Sequence, residues 1–132
     1  MMRSIGGASG IGLGITRYFA EREAHISVLD INETTGPEVI KSLRSEYPSA
    51  TFTFKKCDIS KWEEQAAVFK EIYQEQGRID IVIANAGITE IGKYIIPDEE
   101  EPSKPTTTTL DVNLTGTLYS ECQPAHPPKT HC

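Results

Sequence analysis

The chain has 132 residues, of which 38% are hydrophobic and 24% are charged, a composition typical of one small globular domain. Its net charge is −6 and no basic patch stands out, which argues against a nucleic-acid partner because phosphate binding needs clustered Lys and Arg. The longest apolar runs, such as IVIA at 81–84, are too short to span a membrane. The three cysteines form no even framework and the N-terminus has no apolar leader, so a cytoplasmic protein is predicted.

The predicted elements alternate between helices and strands along the chain. Apolar spacing predicts helices at about 11–24, 33–46 and from Trp62 to Gly77, and strands at 25–30, 51–56 and 79–84. Parallel strands are joined by helices that cover both faces of their sheet. This order therefore predicts a doubly wound parallel α/β sheet.

Local signals refine the third of these helices. Ser60 is the expected N-cap, with Glu63 completing a capping box, and Gly77 is the expected C-terminal stop. The buried face is predicted from residues at helical spacing, namely Trp62, Ala66, Phe69 and Tyr73.

The last third of the chain is less regular. Prolines surround the acidic run DEEE at 98–101, which predicts a solvated loop. The segment 109–120 regains helical character, whereas 121–132 is rich in proline and is predicted to be a disordered tail after one domain over 1–120. The Cys and His residues of this tail fit no common zinc spacing, so no metal site is predicted.

The run IGGASGIGLG at 5–14 carries the first functional signal. Gly6, Gly10 and Gly12 allow a tight turn and a close approach of the backbone to a ligand. The helix that follows would point its free N–H groups and positive dipole end at the same place, where a pyrophosphate fits. A flexible linker is the alternative interpretation of a glycine run taken alone.

Asp30 strengthens the interpretation of the glycine run as a ligand site. It ends the predicted strand at 25–30 and follows Gly12 by 18 residues, the place from which an acid reaches the ribose hydroxyls of a dinucleotide. Its carboxylate would repel a 2′-phosphate, and DINET contains no Lys or Arg, so NAD is favoured over NADP. An acid that caps a strand-end turn is the alternative.

Three further motifs follow in a characteristic order: CDIS at 57–60, ANAGI at 84–88 and DVNLTG at 111–116. With the glycine loop, they make the chain over about 5–119 resemble the NAD-using branch of the short-chain dehydrogenase/reductase family. Ile5 departs from that family's pattern, which has Thr at this position. The resemblance implies a partial Rossmann fold and hydride transfer between the nicotinamide of NAD and an alcohol or carbonyl.

The resemblance also implies roles for individual residues. Asp58 is expected to contact the adenine with Ile59 beside it, and Asn113 to help organise a proton-relay water, the one catalytic role present. An ordinary helix cap is the alternative for Asp58, and a buried amide that ties backbone groups together is the alternative for Asn113. The residues expected to bind the cofactor are Gly6, Ser9, Gly10, Ile11, Gly12, Asp30, Ile31, Asp58, Ile59, Asn85, Ala86 and Gly87.

The rest of the family's catalytic machinery has no counterpart in the sequence. The family uses a Ser, and a Tyr with a Lys four residues later, but no tyrosine here is followed by Lys at that distance. Tyr119 lies too early, within the helix that carries Asn113. The chain is therefore expected to be inactive alone, with a small alcohol or ketone as substrate only in a complete homologue.

The chain is also expected to lack parts of the family's sheet. MMRSI would be only a stump of the first strand, with the charge of Arg3 in a central strand, and the later strands would be absent. The strand at 79–84 would then form an edge prone to self-association. Pairing as a homo- or hetero-oligomer through the helix that carries Asn113 is implied by the resemblance, so a non-catalytic NAD-binding or dimerisation module is the alternative function.

Overall fold

The computed structural model describes residues 2–89 and 104–123, and it describes no side chains for residues 2–5. The acidic run at 98–101, the predicted tail from 124 onward and the side chain of Arg3 therefore lie outside the described residues. Within these limits, no helix is both long enough and apolar enough to cross a membrane.

The described strands form one parallel sheet in the order β3-β2-β1-β4. The strands are β1 (Met2–Ile5), β2 (His25–Asp30), β3 (Thr51–Lys56) and β4 (Ile81–Ala84). The N-terminal residues that were expected to be a stump form a four-residue strand that pairs with β2 on one side and β4 on the other. The sheet therefore has its first strand in an interior position.

Three helices connect the strands: α1 (Gly10–Ala20), α2 (Thr35–Glu46) and α3 (Trp62–Gln76). After β4, a helical segment runs through a turn at Thr108–Leu110, a π-helical stretch at Asp111–Gly116 and an α-helix at Thr117–Cys122. We call this continuous segment, 108–122, the asparagine helix because it carries Asn113. It extends two residues past the predicted domain boundary at 120, and Gln123 after it is buried.

The core consists of two clusters on opposite faces of the sheet. Ile26 and Val28 of β2 pack with residues of α1 and α2 in the first cluster. Leu29, whose side chain points to the other face, packs with residues of α3 in the second. All four residues 26–29 are buried, which confirms the predicted doubly wound arrangement.

Helix ends differ from the predictions because side chains and backbone caps decide them. Helix α1 ends at Ala20, four residues early, in a Schellman turn where Glu23 N–H bonds to Ala20 and Ala24 N–H bonds to Phe19. Glu23 occupies the left-handed region there (φ 57°), where glycine is usual. Helix α2 starts at Thr35 rather than 33, and the Asn32 carboxamide oxygen accepts the N–H groups of Thr34 and Thr35 at this start.

The capping box predicted for α3 is wrong. Its N-cap is Lys61, and no side chain caps the helix. The Ser60 hydroxyl donates to an Asp58 carboxylate oxygen at 2.7 Å, and Glu64, not Glu63, accepts the Asp58 N–H at 2.9 Å. The nearby carboxylate of Asp58 thus engages the hydroxyl that was expected to cap the helix.

The predicted face of α3 is also rotated relative to the structure. The buried residues are Gln65, Phe69 and Ile72, whereas Trp62 is 41% exposed. The C-terminal stop is confirmed, because Gly77 is left-handed (φ 72°) and closes the helix. Strand β4 begins at Ile81, which pairs with Met2 of β1, rather than at 79.

Candidate functional site

The glycine loop lies where β1, β2 and β4 reach their carboxyl ends. Gly6 N–H donates to the Leu29 carbonyl at 2.7 Å, which joins the loop to the end of β2. From the other side, the Asn85 amide lies 3.4 Å from the Gly6 carbonyl. Clefts at this edge of an open parallel sheet are the usual ligand sites of such folds.

Two glycines are required by close approach. Gly6 has φ 68°, and a Cβ there would lie 2.7 Å from the Ala86 Cα. A Cβ at Gly12 would lie 1.9 Å from the Gly6 carbonyl oxygen, so any side chain would force α1 away from the loop. Gly10 (φ 50°) has nothing within 4 Å of its Cβ position, and it lines open space beside the loop.

The first turn of α1 faces this open space with its backbone donors. Ser9 is the N-cap, and its side chain makes no capping hydrogen bond. Ser9, Gly10 and Ile11 all line the cavity described below, and Ile11 is 77% exposed. Free N–H groups and the positive end of the helix dipole at this position suit an anionic ligand.

Asp30 connects the end of β2 to the glycine loop. One carboxylate oxygen accepts the Ala8 N–H at 3.3 Å, and the other accepts the Asn32 N–H at 3.1 Å. The same residue's backbone carbonyl accepts the Cys57 N–H at 3.0 Å. The acid therefore lies at the cavity edge with its orientation fixed from both sides.

A cavity of about 390 Å³ occupies the space between these elements. Of the twelve residues predicted to bind a cofactor, eleven line it, and the exception is Gly12, which packs behind the loop. The lining consists of Gly6, Ser9, Gly10, Ile11, Leu29, Asp30, Ile31, Cys57, Asp58, Ile59, Asn85, Ala86, Gly87, Ile88 and Val112. The structure thus brings together residues that are far apart in the sequence, from Gly6 to Val112.

Sequence reasoning missed four of the lining residues: Leu29, Cys57, Ile88 and Val112. Three of them belong to or adjoin the quoted motifs, and Leu29 directly precedes Asp30. A signal was therefore present, since apolar neighbours of motif residues at strand ends form the walls of such a cleft.

Cys57 is an apolar wall of the cavity rather than a reactive thiol. It is 2% exposed, and burial raises its pKa to about 12, with the carboxylates of Glu64 and Asp58 adding to the shift. The protonated thiol is a poor nucleophile at neutral pH.

The Asp58 side chain closes a turn with Ser60, two residues later. One of its carboxylate oxygens accepts both the Ser60 N–H at 3.0 Å and the Ser60 hydroxyl at 2.7 Å. These are the bonds of an Asx turn and not of the helix cap considered as its alternative, since no side chain caps α3, and Asp58 also lines the cavity.

Asn113 ties two backbone groups together. Its side-chain oxygen accepts the Ile88 N–H at 2.8 Å, and its amide donates to the Ile88 carbonyl at 2.9 Å. Asn113 is exposed and is not among the cavity-lining residues. The bonds are those of the structural alternative, and they fix Ile88 at the cavity wall.

Comparisons with known proteins agree with this geometry. The family model described as short chain dehydrogenase matches residues 3–123. The NADP-dependent dehydrogenase clz5 of Cochliobolus lunatus is 36% identical over 122 residues, covering 87% of this chain and 41% of that protein. The 3-oxoacyl-[acyl-carrier-protein] reductase FabG of Chlamydia muridarum is 36% identical over 117 residues, covering 89% of this chain and 45% of its own length.

The fold has counterparts among solved structures. An NAD⁺-bound xylitol dehydrogenase superposes with a TM-score of 0.76 at 23% identity, over 91% of this chain and 44% of that one. The chain therefore spans less than half the length of the relatives it matches. On the strength of the family match and the shared fold, the chain belongs to the short-chain dehydrogenase family.

Proposed function

We propose that this chain is the NAD-binding part of a short-chain oxidoreductase, whose reaction transfers hydride between NAD and an alcohol or carbonyl. The observation that carries the proposal is the cavity at the carboxyl edge of the sheet, lined by eleven of the twelve predicted residues. The cavity fits the cofactor chemically: side-chain-free backbone and a helix N-terminus suit a diphosphate, and a carboxylate suits ribose hydroxyls.

In this proposal each wall of the cavity has a part of the cofactor to hold. The glycine loop binds the diphosphate, and Asp30 accepts hydrogen bonds from the ribose hydroxyls. Asp58 and Ile59 lie on the side where the adenine would be held. Asn85, Ala86 and Gly87 lead toward the nicotinamide, which supplies or accepts the hydride when the cofactor is bound.

Charge at the end of β2 supports NAD over NADP. Asp30 presents a carboxylate, and Ile31 beyond it is 61% exposed and cannot pair with a 2′-phosphate. Lys56 is the register partner of Asp30 in β3, but its ammonium lies 3.1 Å from a Glu33 carboxylate. An NADP phosphate placed here would meet the Asp30 carboxylate, and the Lys56 ammonium is already paired with Glu33.

The proposal includes that this chain by itself does not turn over substrate. Tyr119 of the asparagine helix packs edge-on against Trp62 of α3, with ring centroids 5.4 Å apart, and it does not line the cavity. No tyrosine of the sequence, Tyr119 included, is followed four residues later by Lys. A phenol needs such a cation to act as a base near neutral pH.

A second candidate function is a non-catalytic module that pairs with another subunit. The observation favouring it is a row on the asparagine helix, where Leu110, Leu114 and Leu118 are 58%, 56% and 52% exposed. Residues four apart lie on one side of a helix, so the three leucines form one apolar stripe. The two candidates are compatible, because the stripe is not part of the cavity.

Isothermal titration calorimetry tests the NAD proposal. We expect saturable NAD binding, NADP binding weaker by about tenfold or more, and loss of that preference in Asp30→Ala. Glu38→Ala removes an exposed acid of α2 outside the cavity and is the matched control, with unchanged affinity for both cofactors. Absence of binding at millimolar NAD would refute the proposal, and equal affinity for NADP would refute its NAD preference.

A further inference from the structure

Gln65 is a fully buried polar residue in the second turn of α3. It is 0% exposed, and it shares the buried face of the helix with Phe69 and Ile72. A buried carboxamide is costly unless its donors and acceptor find partners. The hydrogen-bond partners of Gln65 therefore show which parts of the chain this residue joins.

Those partners come from two other parts of the chain. The side-chain amide donates to the Ile59 carbonyl at 2.7 Å and to the Gly116 carbonyl at 2.9 Å. Its oxygen lies 3.1 Å from the hydroxyl of Ser120, which is 2% exposed and shares its one proton between this oxygen and the Gly116 carbonyl. One side chain thus joins α3, the segment before it and the asparagine helix.

The junction coincides with an irregular stretch of backbone. Gly116 ends the π-helical stretch Asp111–Gly116, and its carbonyl accepts both the Gln65 amide and the Ser120 hydroxyl, each at 2.9 Å. A Cβ at Gly116 would lie 2.8 Å from the Ile59 side chain. The asparagine helix therefore contacts this part of the wall at backbone distance, and Gln65 supplies the bonds across the contact.

The same contact is continuous with the cavity. Ile59 lines the cavity directly. Three residues before Gly116, Asn113 holds both backbone groups of Ile88, another lining residue, and Val112 beside it is a third. A shift of the asparagine helix away from α3 would move Val112 and Ile88 away from Ile59.

We propose that Gln65 is a positioning residue for the cofactor cavity: it fixes the asparagine helix against Ile59 and so holds the Asn113–Ile88 wall in place. This inference rests on the proposed NAD function only for its effect on affinity. Removing the carboxamide breaks the bonds from Gln65 to the Ile59 carbonyl, the Gly116 carbonyl and the Ser120 hydroxyl. Gly116 and Ser120 keep their bond to each other, but the hydrogen bonds that join their helix to α3 and Ile59 are lost, so the helix is free to shift.

The test uses Gln65→Met, which keeps the length of the side chain and removes its hydrogen bonds. Gln74→Met is the matched control, because Gln74 is exposed on the same helix. In the free chain, we expect amide hydrogen exchange of Ile88 to accelerate by about tenfold or more in Gln65→Met, with β2 amides unchanged. NAD affinity falls by about tenfold, which corresponds to about 1.4 kcal/mol.

Each outcome decides a separate claim. Unchanged Ile88 exchange in folded Gln65→Met overturns the positioning role, even if the midpoint of unfolding falls, because loss of stability alone is what a structural role predicts. If Gln65→Met does not fold, Ser120→Ala removes one bond of the junction and must accelerate Ile88 exchange in the same direction, or the inference fails. Failure of the unsubstituted chain to bind NAD refutes the proposed function and the affinity effect, while the exchange result still decides the positioning.

Discussion

Strands β2 and β4 flank β1 on its two sides, yet they have different surroundings. Ile26 and Ile81 both pair with Met2 and so lie in one row of the sheet, but Ile26 is 1% exposed and Ile81 is 42% exposed. β2 has β3 on its far side and clusters on both faces. β4 is the last strand of the sheet over residues 2–89 and 104–123.

An apolar run can form a strand without being buried on both faces of the sheet. Three of the six residues of HISVLD and five of the six of IDIVIA are apolar, and both runs contain a strand, so local composition predicts strand formation. Whether a strand is buried depends on helices and strands elsewhere in the chain, and the composition of the strand itself does not predict them. The stability lost when a side chain is truncated depends on how deeply other elements bury it. Equivalent substitutions in β2 and β4 therefore compare a buried strand with a partly exposed one.

The largest effect is expected in the shared row of the sheet. Ile26→Ala creates a cavity in a packed core and should lower the free energy of unfolding by about 2–5 kcal/mol. Ile81→Ala removes a side chain that is already 42% exposed and should cost less than about 1 kcal/mol. Urea unfolding of both variants checks this. Equal losses would show that β4 is as well covered as β2.

The second effect is a loss of stability from a substitution in α1, which packs against β2 in the first core cluster. Gly12→Ala should lower stability by about 1–3 kcal/mol and weaken NAD binding, because its Cβ would meet the Gly6 carbonyl oxygen at 1.9 Å. Gly14→Ala is the control on the same helix, with nothing within 4 Å of its Cβ position. It should raise stability by about 0.5–1 kcal/mol through helix propensity. A neutral Gly12→Ala would contradict the close packing of loop and helix.

The third effect is the pH dependence contributed by Cys57 at the covered end of β3. Burial raises its pKa to about 12 in the folded chain from the ordinary value of 9.0, so the unfolded chain loses this proton first as pH rises. The thiol's contribution to stability is therefore complete below pH 9 and is lost between about pH 9 and 12, by at most about 1.4 kcal/mol per pH unit.

Unfolding of the unsubstituted chain and of Cys57→Ala, measured at pH 8 and near pH 10.5, isolates this contribution from other titrating groups. The unsubstituted chain should lose more stability between the two pH values than Cys57→Ala does. Thiol labelling of the folded chain at pH 8 gives the companion result, with exposed Cys122 reacting before buried Cys57. Identical pH profiles for the two chains would contradict the raised pKa.

The smallest effect on stability and a clear effect on association are expected at the exposed strand. Val82, 38% exposed in β4, should tolerate Lys with a change below about 0.5 kcal/mol. The unsubstituted chain should self-associate in sedimentation velocity, and Val82→Lys should reduce this because a charge blocks edge pairing. Gln74→Lys adds the same charge on α3, away from β4, and should leave self-association unchanged. A monomeric unsubstituted chain with a sharp reversible melt would refute the exposed edge.

Much of the fold was predictable because its determinants are local. The strands at 25–30 and 51–56 match residue for residue, since both are β-branched or aromatic runs with clear limits. The helix ends were not predictable in the same way. Glu23 adopts a left-handed conformation at the end of α1, where a glycine would have allowed the end to be predicted. The Ser60 hydroxyl, which was expected to cap α3, donates to Asp58 instead.

The site was predictable where motifs fall at strand ends, because the carboxyl ends of parallel strands share one edge. The glycine loop, Asp30 and the residues 85–87 meet there for that reason. Gln65 was missed because a polar residue was not considered for the buried face. Its spacing with Phe69 and Ile72, at i, i+4 and i+7, is the helical core pattern and was the available signal.

The central claim, that NAD occupies the cavity at the carboxyl edge of the sheet, is tested most directly by nuclear magnetic resonance of the labelled chain during titration with NAD. The account predicts saturable shifts of the amides at 6–12, 30–31, 57–59 and 85–88, with the amides of α2 unchanged. Shifts centred elsewhere, or none at millimolar NAD, would contradict it.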